Sequence, residues 1–232
     1  MTTDSKSFLD WLARWEKSLP VVRLNEVVSA RAQVAVVSVD LTRGFCCEGP
    51  LASPRVAGII PAAVRLFRGV YDLGGRHFLL LQDTHDADAI EFSAYPPHAV
   101  GGTAESETIS ELKGLPFSDL FVVMPKNSVS CDIGTELGPW LEAHPVVTTF
   151  IVIGDCTDIC VYLAAMYLRL RANVLGLRAV RVIVPADCVQ TYDSPVHTAE
   201  ELGALPHDGD LLHQVFLYHM ALNGIEVVGH FA

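Results

Sequence analysis

Residues 146–161 carry the sequence Val146-Val147-Thr148-Thr149-Phe150-Ile151-Val152-Ile153-Gly154-Asp155-Cys156-Thr157-Asp158-Ile159-Cys160-Val161. The first eight residues are apolar or β-branched, which is typical of a buried parallel strand. Gly154 allows the chain to turn sharply off that strand, and the pattern of residues 161–168 predicts a helix. Thr157 or Asp158 is the expected helix cap. The stretch therefore predicts a strand, a tight turn and a helix.

Cys160 falls in the first turn of this predicted helix. The free N–H groups and the dipole at a helix N-terminus favour a thiolate. A thiol at the carboxyl end of a parallel strand is also placed where α/β proteins bind ligands and hold nucleophiles. The alternative is a buried structural cysteine, because free cysteines are commonly buried.

Composition limits the class of protein. With 232 residues, half of them hydrophobic, the chain is long enough for one substantial α/β domain. The formal net charge is −11 and no Lys/Arg cluster interrupts it, which argues against nucleic acid or an anionic membrane as a partner. The N-terminus lacks the apolar core of a signal peptide, and no apolar run could span a bilayer. Six scattered cysteines without an export signal predict a reducing, cytoplasmic location.

Strand and helix patterns alternate along the rest of the chain. Strands are predicted at 32–40, 77–83, 120–126, 179–187 and 226–230, and helices at 7–30, 54–73, 133–144 and, with an interruption, 197–224. This alternation predicts a mostly parallel sheet covered by helices on both faces. Without repeats or linkers, residues 1–232 are expected to form one domain, with residues 1–30 as an N-terminal helical extension packed on the domain or on a second subunit.

Four reactive side chains lie at or near the carboxyl ends of predicted strands, namely Asp40, Asp83, Lys126 and Cys160. The carboxyl ends of parallel strands share one edge of a sheet, so these side chains are expected to converge there. Asp40 could accept the thiol proton of Cys160, and Lys126 could keep that carboxylate charged and oriented. The alternative is an ordinary buried ion pair between Asp40 and Lys126.

A second group of residues suggests a metal site. Asp83 and His85 are two residues apart on an extended segment and so point the same way. His98 could return from the following loop, and Glu91 could add a ligand directly or through water. Imidazoles and carboxylates suit a divalent zinc, iron or manganese ion. The alternative is a polar loop with surface histidines.

Several stretches together resemble the isochorismatase-like cysteine hydrolases, and within them the nicotinamidase and pyrazinamidase branch. The resemblance spans about residues 32–190. The stretches that carry it are Val39-Asp40, Phe45-Cys46-Cys47-Glu48-Gly49, Asp83-Thr84-His85, Tyr95-Pro96-Pro97-His98-Ala99-Val100-Gly101-Gly102-Thr103, Pro125-Lys126 and residues 154–161.

The resemblance implies a fold and a set of site residues. The fold is a three-layer α/β/α arrangement around a six-stranded, mostly parallel sheet, and members usually form homo-oligomers. The implied catalytic triad is Asp40, Lys126 and Cys160, and a cis peptide before Cys156 exposes the backbone N–H groups of Cys156 and Cys160 as an oxyanion hole. The implied metal ligands are Asp83, His85 and His98, with Glu91 at a variable fourth position. The family's metal binds the pyridine nitrogen of the substrate, whose ring is flanked here by Phe45 and Tyr95.

Three departures from the family pattern bear on the substrate. Thr42 stands where Gln is frequent, Glu105 stands where Gly is expected, and no aromatic residue follows Lys126 in residues 127–131. The resemblance implies a metal-assisted cysteine amidohydrolase that converts nicotinamide or a close aromatic amide to the acid and ammonia through a thioester. The alternatives are a hydrolase for a ureido compound or an isochorismate-like ether, and a ligand-binding relative without turnover.

Overall fold

The computed structural model describes residues 3–232, apart from the side chains of residues 3, 32 and 202. The strands are β1 (Val21–Val22), β2 (Val34–Val39), β3 (His77–Asp83), β4 (Phe121–Lys126), β5 (Thr149–Asp155), β6 (Arg181–Pro185), β7 (Val189–Gln190), β8 (Glu226–Val228) and β9 (His230–Phe231). The α-helices are α1 (Thr3–Lys17), α2 (Leu24–Val27), α3 (Arg43–Cys46), α4 (Pro54–Ala57), α5 (Ile60–Asp72), α6 (Ser110–Lys113), α7 (Leu137–Ala143), α8 (Cys160–Val174), α9 (Val196–Leu202) and α10 (Gly209–Leu222).

The main sheet has the strand order β4-β3-β2-β5-β6-β8, and the short β7 also pairs with β5. Each ladder between these strands is parallel. The six-stranded parallel sheet predicted from the sequence is therefore confirmed, with β7 as an additional short strand. The chain leaves β2 toward β3 on one side and reaches β5 on the other, so the sheet has a topological switch point between β2 and β5. Ligands of open α/β sheets bind at the carboxyl edge beside such a point.

Alternating side chains of the central strands build two separate cores. Ala35, Val37 and Val39 of β2 pack with α7, α8 and α10 on one face. Val34 and Val36 pack with α5 on the opposite face. Because successive strand residues point to opposite faces, a fully apolar strand can be buried on both sides only between two layers of helices.

The N-terminal region differs from the helix expected over residues 7–30. Helix α1 ends at Lys17, and the chain then forms β1, which pairs in parallel with β9 near the C-terminus. Pro20 followed by the β-branched Val21 and Val22 favours an extended chain over a continued helix. Helix α1 packs on the domain, because Phe8, Trp11 and Trp15 all contact the ring of Tyr218 on α10. Within residues 3–232, no helix has both the length and the apolar character needed to cross a bilayer.

Gly154 lies within β5, where it pairs with Val39 of β2, so the prediction that the chain turns off the strand at this residue is wrong. Its φ is 116°, and a Cβ at this position would lie 1.9 Å from the carbonyl oxygen of Val39 on the neighbouring β2. A side chain here would have to push apart the two central strands of the sheet. Glycine is therefore required both for its backbone conformation and for the close approach of β2.

We predict that Gly154→Ala lowers the free energy of unfolding by more than about 3 kcal/mol or prevents folding, beyond the usual range for overpacking. Gly176→Ala is the matched control, because Gly176 also has a positive φ, 66°, but no atom lies within 4 Å of its added Cβ. The control should lose only about 1–2 kcal/mol from the left-handed backbone. Denaturant unfolding followed by circular dichroism measures both, and equal losses in the two variants would contradict the account.

Candidate active site

Three side chains meet at the carboxyl edge of the sheet, one directly after β2, one at the end of β4 and one at the start of α8. The ammonium of Lys126 lies 2.8 Å from Oδ2 of Asp40 and 3.5 Å from Sγ of Cys160. A carboxylate oxygen of Asp40 and Sγ of Cys160 lie within 4.8 Å of each other. All three residues are buried. The structure thus brings together the base, cation and thiol that the sequence predicts.

Strand register explains this convergence. Asp83 and Lys126 are paired residues of the parallel strands β3 and β4, so their side chains leave the sheet on the same side. Lys126 donates a hydrogen bond to Oδ1 of Asp83 in addition to its contact with Asp40. Asp40 follows β2 with a φ of 52°, and its Oδ1 accepts a hydrogen bond of 2.7 Å from the backbone N–H of Asp83. The left-handed backbone at Asp40 is one that aspartate tolerates better than most residues.

Burial determines the protonation states of the group. It raises the pKa of Asp40 to about 6, with a further contribution from Asp83, while Lys126 limits the rise. Burial and the nearby carboxylates also hold the pKa of the Cys160 thiol well above its usual value, although Lys126 opposes this. Burial thus opposes the thiolate that the start of a helix favours. At neutral pH the pair is a thiol beside a carboxylate that can accept its proton.

The loop between β5 and α8 presents two open backbone donors. The Asp155–Cys156 peptide is cis, as the resemblance implies. Within the described residues, the backbone N–H groups of Cys156 and Cys160 donate no hydrogen bond to another backbone group. Helix α8 begins at Cys160, and Ile159 is its N-cap residue without a side-chain cap. The predicted capping by Thr157 or Asp158 is wrong, because both side chains are engaged elsewhere.

Asp83, His85 and His98 form a buried group next to the triad. One ligand atom from each lies within 4.8 Å of the other two. Oδ2 of Asp83 is 3.6 Å from Nε2 of His85 and 3.7 Å from Nε2 of His98. Glu91 approaches the same atom of His85 at 3.9 Å, while its other carboxylate oxygen accepts a hydrogen bond from the backbone of Val129. The carboxylate of Asp83 therefore faces Lys126 with one oxygen and the histidines with the other.

The loop that carries His98 is attached directly to His85. The backbone N–H of His85 donates to the carbonyl of Ala99, and the N–H of Gly101 donates to the carbonyl of His85. Glu105 accepts a hydrogen bond of 3.0 Å from the N–H of Ala99. Its carboxylate occupies the space that a side chain at Gly49 would fill. The glutamate that departs from the family pattern thus joins the His98 loop to the segment after α3.

Aromatic rings surround the histidines. Phe45 and Tyr95 have ring centroids 5.6 and 6.1 Å from that of His98. Phe92, which the sequence analysis did not single out, lies 5.4 Å from His85 and 5.7 Å from His98. A flat ring could be held between such side chains, since aromatic pairs prefer offset or edge-to-face contacts at these separations.

Two histidines outside the predicted site residues contact the loop between β5 and α8. Nδ1 of His213 lies 2.8 Å from the hydroxyl of Thr157, and Nε2 of His207 lies 2.8 Å from a carboxylate oxygen of Asp158. Each contact joins residues about fifty positions apart in the chain, so no local spacing could have predicted it.

Comparisons with known proteins point to one family. The isochorismatase domain model matches residues 34–203. Nicotinamidase 1 of Arabidopsis thaliana is 29% identical over 231 residues, covering 92% of this chain and 93% of the relative. A nicotinamidase from Bacillus subtilis has a similar structure, with a TM-score of 0.66, 22% identity and coverage of 84% of this chain and 99% of the other.

A pyrazinamidase of Pyrococcus horikoshii, solved in complex with zinc, also shares the fold. Its TM-score is 0.63 at 21% identity, and the alignment covers 84% of this chain and 98% of that one. The two solved structures support the fold, and the domain model matches the chain from β2 through α9. The chain therefore belongs to the isochorismatase family.

Proposed function

We propose that the protein is a metal-assisted cysteine amidohydrolase that hydrolyses nicotinamide or a close aromatic amide to the carboxylic acid and ammonia. The observation that carries this proposal is the shared carboxylate of Asp83. It contacts Lys126 of the triad and the histidine pair at the same time. The thiol beside Lys126 and the histidine pair are thus joined through one residue, which supports a small substrate that touches both.

Cys160 is the proposed nucleophile. Its Sγ forms a bond to the carboxamide carbon while its proton passes to Asp40, and the electron pair of the C=O double bond moves onto oxygen. The open N–H groups of Cys156 and Cys160 hydrogen-bond that oxygen. Asp40 then protonates the amide nitrogen, the C–N bond breaks, and ammonia leaves a thioester on Cys160.

Asp40 also serves the second half of the reaction. It takes a proton from water, whose oxygen attacks the thioester carbon, and it returns this proton to Sγ as the C–S bond breaks. The carboxylic acid leaves and the thiol is restored. Lys126 keeps Asp40 charged between these transfers, because an adjacent ammonium stabilises the ionised carboxylate.

The chemistry of the donor set fits a divalent ion such as zinc, iron or manganese. Both ring nitrogens of the buried His85 and Oε1 of Glu91 lack hydrogen-bond partners within the described residues. Nδ1 of His98 bonds the carbonyl of Pro96 at 2.8 Å, which leaves Nε2 for a ligand role. Asp83, His85 and His98 would hold the ion, with Glu91 directly or through water. When bound, the ion supplies a Lewis-acid contact for the ring nitrogen and orients the amide.

One relative is named a nicotinamidase, which supports the same substrate class. A neighbouring structure was solved in complex with zinc, which supports a metal in the site. Phe45 and Tyr95 are the proposed ring contacts. A cytoplasmic location and self-association of the chain stay predictions from its cysteine content and its resemblance to the family.

We predict that Cys160→Ala abolishes ammonia release from nicotinamide while the protein remains folded, because the small side chain suits the start of α8. Cys47→Ala is the control, since Cys47 is exposed and outside the triad. A coupled ammonia assay and circular dichroism on the same samples measure activity and folding. Cys160→Ala protein with wild-type activity would rule out the nucleophile assignment.

We predict that Asp40→Asn reduces kcat for nicotinamide at least about a hundredfold, the lower end for loss of a general acid–base group. The amide keeps the shape of the carboxylate but cannot accept the thiol proton. Asp86→Asn is the matched control, because Asp86 is exposed and bonds only Asn127 among the described side chains. Equal kcat values for Asp40→Asn and wild type would show that another group is the base.

We predict that fresh protein contains about one divalent ion per chain, as expected for a three-ligand site. His85→Ala and His98→Ala should lose both the ion and nicotinamide hydrolysis, whereas Glu91→Ala should have a milder effect. His197→Ala is the control, because His197 is an exposed histidine on α9. Elemental analysis after dialysis gives the metal content. Full activity after exhaustive chelation would contradict the site.

A further inference from the structure

The segment that follows β7 lies directly beside the nucleophile loop. Gln190 pairs with Asp155, and its carbonyl accepts a hydrogen bond of 3.0 Å from the N–H of Thr157. Two residues further on, the backbone of Tyr192 lies beside Cys156: burial raises the pKa of the Cys156 thiol well above its usual value, and Tyr192 opposes this rise. Tyr192 is therefore the residue at which this segment passes the proposed oxyanion hole.

His207 holds the ring of Tyr192 in one orientation. The two rings are stacked, with centroids 3.8 Å apart and an interplanar angle of 19°. Nδ1 of His207 bonds the carbonyl of Tyr192 at 3.0 Å, and Nε2 bonds Asp158 at 2.8 Å. The two ring nitrogens of His207 are thus tied to Tyr192 and Asp158 at the same time.

The backbone around this pair is also fixed. Ser194 and His207 exchange two backbone hydrogen bonds of 2.7 and 2.8 Å. The N–H of Gly209 donates to the side chain of Asp193, and a Cβ at Gly209 would lie 2.5 Å from the carbonyl oxygen of Tyr192. Tyr192 therefore cannot move without breaking a set of contacts that spans residues 192–209.

Tyr192 is half-buried near Cys156 and Tyr95. Burial, followed by Cys156, Tyr95 and Asp158, raises the pKa of Tyr192 to about 12. Cys160 and Cys156 likewise contribute to a raised pKa of Tyr95, after burial. Both tyrosines thus lie near Cys156, and Tyr95 lies near Cys160 as well. Neither hydroxyl has a hydrogen bond to another described residue, so both are available to a ligand.

We propose that Tyr192 is a substrate-contacting residue that forms the wall of the pocket above the nucleophile loop and limits which amides reach Cys160. His207 and Asp158 are positioning residues that hold this wall. That Tyr192 contacts an amide substrate rests on the proposed amidase function, whereas its restriction of access to Cys160 does not. Phe45, Phe92 and Tyr95 surround the histidines, and Tyr192 closes the side of the pocket nearest the thiol.

The test compares the access of small and large reagents to Cys160. Iodoacetamide and its N-benzyl derivative carry the same reactive group and differ in bulk. Peptide mass spectrometry gives the rate of alkylation at Cys160, with the exposed Cys47 as an internal reference. In Tyr192→Ala we expect the ratio of the N-benzyl to the iodoacetamide rate to rise at least about tenfold, the scale on which pocket size discriminates between ligands. His207→Ala should shift the ratio in the same direction, and Tyr192→Phe should keep it.

Tyr162→Ala is the matched control. It removes another tyrosine–histidine contact, the 3.0 Å bond between Tyr162 and His219 between α8 and α10. General loosening of the fold would raise the ratio in this variant as well, which would overturn the proposal. An unchanged ratio in Tyr192→Ala would also overturn it, whatever the activity.

Steady-state kinetics separate the role of Tyr192 from the proposed amidase function. The kcat and KM of wild type and Tyr192→Ala are measured for nicotinamide and its ring-methylated derivatives. If Tyr192 forms this wall, Tyr192→Ala should have a higher KM for nicotinamide than wild type. Its preference for one methylated isomer over the others, measured as a ratio of kcat/KM values, should change at least about tenfold. Wild-type protein that releases no ammonia, together with the expected alkylation ratios, would refute the amidase function and leave the wall in place. Unchanged methyl preference in an active Tyr192→Ala enzyme would refute the substrate contact.

Discussion

The buried ammonium of Lys126 holds the site together. It is only 2% exposed, and it contacts Asp40, Asp83 and Cys160 at once. A buried charge is strongly unfavourable unless it is paired, and removing one partner leaves the others uncompensated. Burial alone would lower the pKa of Lys126, but Asp40, Cys160 and Asp83 raise it well above its usual value, so the ammonium stays charged. In turn Lys126, together with the nearby imidazoles of His85 and His98, keeps the pKa of Asp83 well below its usual range against the effect of burial.

The carboxylate of Asp83 joins the Lys126 group to the histidine pair. Asp83 bonds Lys126 with Oδ1 and faces both histidines with Oδ2. A substrate that reaches from the histidines to Cys160 must therefore pass over Asp83 and Lys126. The site has little freedom to adjust its length, because Asp83 and Lys126 are paired residues of two buried strands. Such rigidity suits a substrate whose two contact points are a fixed distance apart, as in a planar ring that carries a carboxamide.

Much of this could be predicted from the sequence because it depends on strand ends. Apolar strand patterns locate Asp40, Asp83 and Lys126, and parallel pairing brings such ends to one edge. The two-residue spacing of Asp83 and His85 likewise predicts a shared direction. Contacts that depend on tertiary packing could not be found this way. His207 and His213 reach the nucleophile loop from the C-terminal region, and they engage the side chains of Asp158 and Thr157 that local rules assign to helix capping. The protonated thiol of Cys160 also depends on burial, which a linear pattern does not give.

The account can be tested most directly by a crystal structure of the metal-loaded protein with pyridine-3-carbaldehyde, the aldehyde analogue of nicotinamide. An aldehyde accepts a thiol but has no amine to lose, so the adduct stops at the tetrahedral stage. The account predicts a bond between Sγ of Cys160 and the aldehyde carbon, with the oxygen hydrogen-bonded to the N–H groups of Cys156 and Cys160. The ring should extend over Asp83 toward His85 and His98. An adduct on another cysteine, or a ring that points away from the histidines, would contradict the account.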